Sequence, residues 1–560
     1  MAAPEQTTNP DFITLLARKG REKVTIPASA VKPEAGDRAQ VGVALASLPQ
    51  RSVSFPAPRN RPEPSPTVPD VPLSAADHVV EHATCLGCGC ACDDISVVVR
   101  TGRIAETRLA CALGSQWFGD GQLPAHIRAG IREGDPVAAL AAVATKLHDA
   151  DRALVYLAAD LSCETHRAAI AVADLLGAAL DSVTSTTAAP GVLAAQRRGR
   201  TTATLGEIRN RADAVLFWGT DPATRYPRFT TRYVPDPEGL FVPAGRRGRT
   251  VIAADIAADH GPADADTRVA FAADEEVAAL SLVRAALRGR AAPNAKPDSV
   301  DARAAALADR LRAFAYVAIV VDGESAPHRD PRRAEALIAL AETLNATTRC
   351  ALSTLRSGGN RSGIDAVMTW QTGYPMAIDF ARGAPRYRPA DDAAALLARG
   401  EIQVALVVGA ASSVPESIRD GLSHVSCSVI GPRASESPFP TFAAIDTGVA
   451  GIHERGTAVR LDEIPLPLRP ALEAPAVAAF RDQWGPATPT VARATVSSLC
   501  AALAAAPSGG DDRIAQANRL RESSPELAVA AALAADGRPQ DSYVLLRALG
   551  ATLAHLKGVA

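Results

Sequence analysis

Ala153-Leu-Val-Tyr-Leu157 is a run of five apolar or aromatic residues, and the segment His166 to Ala179 that follows carries apolar residues at helical spacing. The pattern repeats along the chain. Ala214 to Trp218 and Val251 to Ala254 are further buried-strand candidates. A second series runs through Tyr316 to Val321, the helix Arg333 to Leu344 and Thr348 to Ser353, and closes with Val404 to Val408 and Ser428 to Ile430. Short apolar strands alternating with helices predict parallel sheets covered on both faces, the doubly wound α/β class. Ligands in such folds sit beyond the carboxyl ends of the strands. Two strands run there into polar loops, Gly219-Thr-Asp-Pro222 and Gly409-Ala-Ala-Ser-Ser413.

Upstream, five of the nine cysteines fall between Thr84 and Cys111, as Cys85-Leu-Gly-Cys88-Gly-Cys90-Ala-Cys92-Asp-Asp and then Cys111 after 18 intervening residues. Four thiolates at such intervals, with glycines that let the backbone curl around a centre, suit an iron–sulfur cluster or zinc. Ile95-Ser-Val-Val-Val99 and the run Ile104 to Leu109 flank Arg-Thr-Gly-Arg, which reads as a hairpin turning at Thr101-Gly102. In that register, residues whose numbers sum to 203 face each other, so Cys92 stands opposite Cys111. A disulfide is disfavoured, because no secretory signal precedes the cluster and the other four cysteines are scattered. Zinc knuckles usually pair two C-x2-C units, and only one is present. Cys90 reads as a spectator.

Length and composition narrow the function classes. A chain of 560 residues can bury several layers of core in two or three domains. The formal net charge of −2 gives no reason to expect nucleic acid or a membrane surface. No apolar run reaches the roughly 18 residues of a spanning helix. Without a signal peptide, and with thiols that read as reduced, the expected compartment is the cytoplasm. Asp11 to Arg21 reads as one short helix, and Arg51 to Pro72 as a proline-rich, polyproline-like linker. The layout expected is therefore an extension and linker over 1–80, a four-cysteine region over 81–120, α/β domains over 121–475 and a helical extension over 476–560. In the last part Glu526 to Ala535 and Ser542 to Leu556 read as alanine-rich helices with no chemistry, suited to packing or subunit contact.

An ordered series of motifs adds a family to this reading. Cys85-x2-Cys88-Gly-x2-Cys92-Asp-Asp is followed by Thr204-Leu-Gly-Glu-Ile-Arg-Asn-Arg-Ala-Asp213 and Phe217-Trp-Gly-Thr-Asp-Pro222 with Tyr226-Pro-Arg228. Thr369-Trp-Gln-Thr-Gly-Tyr-Pro375, Asp379-Phe-Ala-Arg-Gly383, Pro385-Arg-Tyr387 and Gly451-Ile-His-Glu-Arg-Gly-Thr457 complete it. From about Cys85 to Pro470 the chain resembles the B subunit of formylmethanofuran dehydrogenase, a branch of the molybdopterin oxidoreductase superfamily. The resemblance implies that superfamily's version of the doubly wound sheets. It implies one 4Fe–4S cluster on Cys85, Cys88, Cys92 and Cys111, and a groove for a molybdenum or tungsten pterin touched by Gly219, Asp221, Arg228, Arg356 and Arg386. Guanidinium forks suit pterin phosphates; without the cofactor the arginines are expected to pair with acids such as Asp221 or Asp379.

At the metal itself the sequence departs from the family. The family's ligating cysteine and the histidine after it fall on Thr187 and Ala188, within Asp181-Ser-Val-Thr-Ser-Thr-Thr-Ala-Ala-Pro190, and a second histidine position falls on Gly358, within Arg356-Ser-Gly-Gly-Asn360. A threonine hydroxyl is a hard, barely acidic ligand where the family has a soft thiolate. Three losses at one site imply no catalytic residue and no molybdenum or tungsten pterin. They point to the bacterial branch, the formyltransferase/hydrolase complex of one-carbon metabolism, with the other subunits of that complex as partners. The rival expectation is an active dehydrogenase subunit with an unusual metal ligand. No metallo-amidohydrolase pattern, His-Glu-x-x-His or Gly-x-Ser-x-Gly occurs. His78 and His82 are expected at the surface, sharing a face if that segment is helical. His453 is expected to make a structural hydrogen bond.

Overall fold

In a computed structural model, residues 12–15, 24–27, 77–291, 295–324, 330–484 and 524–558 are described. The chain divides into two units, Met1–Val71 and Pro72–Ala560. In the first, Phe12–Leu15 pairs antiparallel with Val24–Pro27, a strand pair where the sequence suggested a helix from Asp11 to Arg21. The proline-rich stretch lies outside the described residues.

The second unit is built on two sheets. One has nine strands in the order Arg386–Tyr387, Ile378–Asp379, Ala179–Ser182, Ala153–Leu157, Val404–Val408, Ser426–Gly431, Ala443–Asp446, Ile127–Ala129 and Arg132–Glu133. Its central strands are parallel and its edges antiparallel. The other has five parallel strands, Thr267–Phe271, Thr250–Ile256, Ala214–Trp218, Tyr316–Asp322 and Arg349–Leu355. The chain starts the first sheet, leaves it after Ser182 to build the whole of the second, and returns. Central strands such as Ala153–Leu157, Ala214–Trp218 and Val404–Val408 are buried at every residue, which is why they read as unbroken apolar runs and not as alternating ones.

Local signals set the helix ends. Ser162 caps the helix Cys163–Leu176 through its hydroxyl on the Thr165 N–H, and Gly177, at φ 68°, ends it in the left-handed conformation. The helix therefore stops short of Ala179, which opens a strand. Thr204 caps Leu205–Arg211 in the same way, accepting from Glu207 N–H. In the five-stranded half a buried ion pair, Arg333 Nε to Glu276 Oε1 at 2.9 Å, ties two covering helices together, and Trp218 Nε1–H donates to the same carboxylate oxygen at 2.9 Å. The last two helices, Pro525–Ala535 and Ser542–Leu556, lie on the nine-stranded half; the second packs on Pro136–His148 and Cys163–Leu176 and buries ten of its side chains. Among the described residues no helix is long and apolar enough to cross a membrane.

Candidate functional site

Cys85, Cys88, Cys90 and Cys92 lie in the loop joining the first two strands of a three-stranded antiparallel sheet, His78–Ala83, Ile95–Arg100 and Arg103–Arg108, and Cys111 follows the third. His78 and His82 are thus on or beside a strand and share no helix face; His78 Nε2 lies 3.2 Å from the Ala471 carbonyl oxygen. The hairpin register begins as the sequence suggests, with Arg100 opposite Arg103 and Val99 opposite Ile104. A bulge then shifts it by one, so that Val98 faces Glu106 and Ser96 faces Arg108. Cys111 consequently stands beyond the strand, as the cap of the helix Ala112–Phe118, not opposite Cys92.

The bulge does not separate the sulfurs. A methyl built on Gly114 of that helix would lie 3.4 Å from Cys85 Sγ and 3.8 Å from Cys111 Sγ, so both sulfurs flank one glycine. The loop closes on itself through Cys85 N–H to the Cys92 carbonyl at 2.9 Å, and Gly87 N–H points at Cys85 Sγ at 3.3 Å. Cys85, Cys88, Cys90 and Cys92 are buried and Cys111 half-buried; all five are free thiols. Burial pushes the Cys85 thiol up, and Cys88, Cys92 and Cys111, the other three expected ligands, push it further. The Cys90 thiol donates to Cys88 and, with Arg228, holds Cys88 below the usual thiol range. Burial raises Cys92, against Arg228 and Arg232. Among the described residues no three His, Cys, Asp or Glu side chains converge on a point that would hold one metal ion.

Arg228 and Arg232 link this loop to the five-stranded half. Arg228 grips Asp94 with both terminal nitrogens at 2.6 Å, and Arg232 reaches Asp93 at 2.5 Å and Asp94 at 3.4 Å. Asp94 of the cysteine motif is therefore the partner of Arg228, in place of Asp221 or Asp379. Asp221 caps its own turn by accepting from Ala223 N–H at 2.9 Å, and Asp379 stands 3.6 Å from Arg152. Gly219, at φ 57°, closes the strand Ala214–Trp218 and donates to the Ala254 carbonyl. Arg386 lies on the outer edge of the nine-stranded sheet, in register with Asp379.

The three departures from the family pattern fall in two loops. Gly358 is packed onto the cysteine loop: a Cβ there would stand 2.6 Å from Gly87 O and 2.9 Å from Leu86 O. Reciprocally, a Cβ on Gly89 would stand 2.2 Å from Arg356 O. Two hydrogen bonds, Gly89 N–H to Arg356 O at 3.0 Å and Gly359 N–H to Leu86 O at 2.8 Å, close the seam. The Arg356 side chain turns away from it into a buried ion network. Its Nε meets Glu324 at 3.2 Å and its Nη1 meets Asp365 at 2.9 Å, while Arg361 approaches Glu324 at 3.6 Å. Thr184 Oγ1–H donates to the other oxygen of Asp365 at 2.5 Å, bringing in the loop that carries Thr187 and Ala188. Ala188 is buried, and among the described residues the buried Thr187 hydroxyl oxygen has no hydrogen-bond partner. Asp181, beneath the same loop, accepts three backbone N–H bonds, and burial pushes it up to about 6.

Glu324 and Asp365, which organise this network, carried no signal in the sequence; only their positions at a strand end and within a helix, known from the fold, place them there. His453 makes the structural bonds expected of it. Its Nδ1 accepts from Val449 N–H at 3.2 Å and its Nε2 lies 2.8 Å from the Gly121 carbonyl, so the neutral Nε2–H form satisfies both; burial pushes it down to about 4.

No protein-family model matches the chain. It is 30% identical over 420 residues, 71% of this chain and 94% of the relative, to the B subunit of the tungsten-containing formylmethanofuran dehydrogenase 2 of Methanocaldococcus jannaschii. The protein of the same name from Methanococcus maripaludis is 28% identical over 420 residues, 71% of this chain and 95% of that one. Among solved structures, a chain of the formyltransferase/hydrolase complex (FhcABCD) from Methylorubrum extorquens, in complex with methylofuran, shares the fold. Its TM-score is 0.52 at 24% identity, over 62% of this chain and 94% of that one. With its motifs in the expected order and its likeness spanning nearly the whole of a relative, the chain belongs to the family of formylmethanofuran dehydrogenase B subunits.

Proposed function

We propose that this chain is a non-catalytic, structural B subunit of a cytoplasmic formyltransferase/hydrolase complex in one-carbon metabolism. The complex moves a formyl group from formyl-tetrahydromethanopterin to a methanofuran-like carrier and hydrolyses it to formate, with the chemistry on partner subunits. The observation that carries this is the seam at Gly358. Where the family has a histidine, the backbone is pressed against Leu86 and Gly87 with no room for a Cβ. Thr187 and Ala188 offer no soft ligand in place of the cysteine and histidine. Arg228 and Arg356 already hold carboxylates of this chain. These residues do not fit a molybdenum or tungsten pterin.

What supports a 4Fe–4S cluster at the cysteine centre is that the Cys85 and Cys111 sulfurs flank Gly114, with Cys88 and Cys92 on the same loop as Cys85. Cys85, Cys88, Cys92 and Cys111 would hold it, supplying at most one electron at a time. The architecture proposed is the molybdopterin-oxidoreductase type, with the extension over 1–80, cysteine region over 81–120, α/β body over 121–475 and helical extension over 476–560. Metal and pterin analysis of the anaerobically purified complex tests the reading. Iron and sulfide without molybdenum or tungsten are expected, and no formate oxidation with a viologen dye. Stoichiometric molybdenum or tungsten, or dye-linked formate oxidation, overturns it in favour of an active dehydrogenase.

A further inference from the structure

The five-stranded sheet has a second built surface at the end opposite the seam. Arg211 and Arg349 lie at the amino ends of the strands Ala214–Trp218 and Arg349–Leu355, whereas Arg356 lies at the carboxyl end, on the order of 20 Å away by strand length. Here Leu240 and Phe241, 71% and 60% exposed, project side by side from a tight bridge between Gly239 and Val242. The tip is rigid. Asn210 Oδ1 accepts from Leu240 N–H at 3.0 Å and the Asn210 carbonyl from Phe241 N–H at 2.9 Å. Gly239 is pressed so close to the helix Leu205–Arg211 that a Cβ would stand 2.1 Å from Arg209 O. The Arg211 guanidinium lies over the Phe241 ring at 4.6 Å.

Beside the tip is an open cavity of about 460 Å³ lined by Glu207, Asn210, Arg211, Leu240, Phe241 and Arg349. Among the described residues neither Arg211 nor Arg349 is ion-paired with a carboxylate. Elsewhere in this chain arginines beside carboxylates are gripped by them, as at Arg228, Arg356 and Arg246. Two guanidiniums without a carboxylate partner and an exposed phenyl ring on a pre-organised tip are residue types enriched at protein interfaces. The one carboxylate in the lining, Glu207, already accepts from the Tyr316 hydroxyl at 3.4 Å. Rigidity also lowers the ordering cost of association.

We infer that the Leu240–Phe241 tip and its cavity dock an acidic, apolar-anchored peptide segment of a sister subunit. The cationic pair selects an acidic partner, and the apolar tip requires a segment with a hydrophobic side chain next to its carboxylates. This rests on the structural-subunit reading and gives it a location, at the end of the sheet away from the cysteine centre.

The test uses the whole complex. Phe241→Asp and Arg349→Glu are made with Arg132→Glu, an exposed residue on a distant edge strand, as the charge-reversal control. Native mass spectrometry and size exclusion read subunit retention, and a photoreactive benzoylphenylalanine at position 241 reads the neighbour. At least about tenfold weaker retention is expected for both tip variants, with normal circular dichroism of the isolated chain. The control is expected to assemble normally, and the cross-link to fall in an acidic stretch of a sister subunit. A cross-link to a second copy of this chain, or unchanged assembly with none, overturns the inference. If deleting the chain collapses the complex while the tip variants assemble normally, the docking surface fails and the structural reading stands. If deletion leaves the other subunits assembled, the structural reading falls and this inference with it.

Discussion

Adding one methyl group at Gly358 is the sharpest probe of the seam between the cysteine loop and the Arg356–Asn360 loop. The Cβ of Gly358→Ala would stand 2.6 Å from Gly87 O, 2.9 Å from Gly87 C and 2.9 Å from Leu86 O, all backbone atoms. No flexible side chain can yield, so the loops must part by several tenths of an ångström. Gly358 has no positive φ, so the substitution carries no conformational penalty that could imitate the steric one. Parting the loops strains the bonds Gly89 N–H to Arg356 O and Gly359 N–H to Leu86 O, each worth about 0.5–1.5 kcal/mol. Overpacking adds about 1–3 kcal/mol. A loss of about 2–4 kcal/mol is expected in urea unfolding followed by tryptophan fluorescence, with faster labelling of the cysteine-loop thiols by an aromatic disulfide. Gly191→Ala supplies the opposite sign. That glycine sits in the helix Ala189–Arg198 with nothing within 4 Å of its Cβ position, so the alanine should stabilise by about 0.5–1 kcal/mol. If Gly358→Ala matches the wild type within about 0.5 kcal/mol and thiol labelling is unchanged, the seam is not closed and the reasoning built on it fails.

Cys88→Ala is expected to abolish iron incorporation and Cys90→Ala to leave it within about twofold, since Cys90 donates to Cys88 but is not one of the four expected ligands; iron and sulfide assays on both variants decide. His166 is fully buried, with neither ring nitrogen hydrogen-bonded among the described residues, and burial pushes it down to about 3. Between pH 6.5 and 3 the unfolded chain binds a proton that the folded chain refuses, so folded stability is lost as pH falls. His166→Leu should therefore gain about 2 kcal/mol at pH 5 and progressively less toward pH 8; equal stabilities at pH 5 would refute this. Glu454 is pushed the other way, up to about 8, first by burial and then by Asp541, against Arg481. Its folded form keeps a proton that the unfolded form loses, so stability falls as pH rises from about 4 to 8 and levels off above. Because Glu454 accepts from Ser542 N–H and hydroxyl, amide exchange at the start of the helix Ser542–Leu556 should speed up over that range beyond the ordinary base-catalysed rate, and Glu454→Gln should remove the excess.

Strand composition made the parallel sheets legible, because fully buried strands have no polar face to interrupt them. The two-residue strands Ile378–Asp379, Arg386–Tyr387 and Arg132–Glu133 were not legible, since two residues carry no period. Nor was the excursion that builds the five-stranded sheet inside the nine-stranded one. Alternation tells that strands and helices follow one another, not which sheet a strand joins. The hairpin beside the cysteines shows the same limit at close range. Its turn residues set the first two pairs, and a single-residue bulge then shifted the rest, which no turn chemistry reports. For the arginines the sequence offered candidate acids by motif proximity, but the partners came from segments that folding brings close, Asp94 from the cysteine loop and Glu324 and Asp365 from two other elements.

The cysteines of this chain pose a question that the seam helps to answer. If the pterin groove is empty, as proposed, a cluster here has no acceptor within the chain, so electron transfer alone gives weak reason to keep four thiols in one loop and a fifth at the helix cap beside it. Packing gives a stronger one. Cys85, Cys88, Cys90 and Cys92 are buried in the same cluster as Phe217, Phe229, Val320 and Leu355 of the five-stranded half and Ile452 of the motif around His453. The loop's glycines admit the Arg356 strand end, its aspartates bind Arg228 and Arg232, and Gly89 O accepts from Leu461 N–H. A Cβ added at Gly87, Gly89 or Gly358 would meet backbone, at 3.0 Å from Leu113 O, 2.2 Å from Arg356 O and 2.6 Å from Gly87 O. Free Cys behaves as a small buried hydrophobe, so the thiols suit this junction with or without iron. On that ground the apo loop should stay folded, and the Cys88→Ala and Cys90→Ala variants should lose stability by similar amounts while differing in iron. If Cys88→Ala instead unfolds the chain and Cys90→Ala does not, the metal holds the junction together and packing does not.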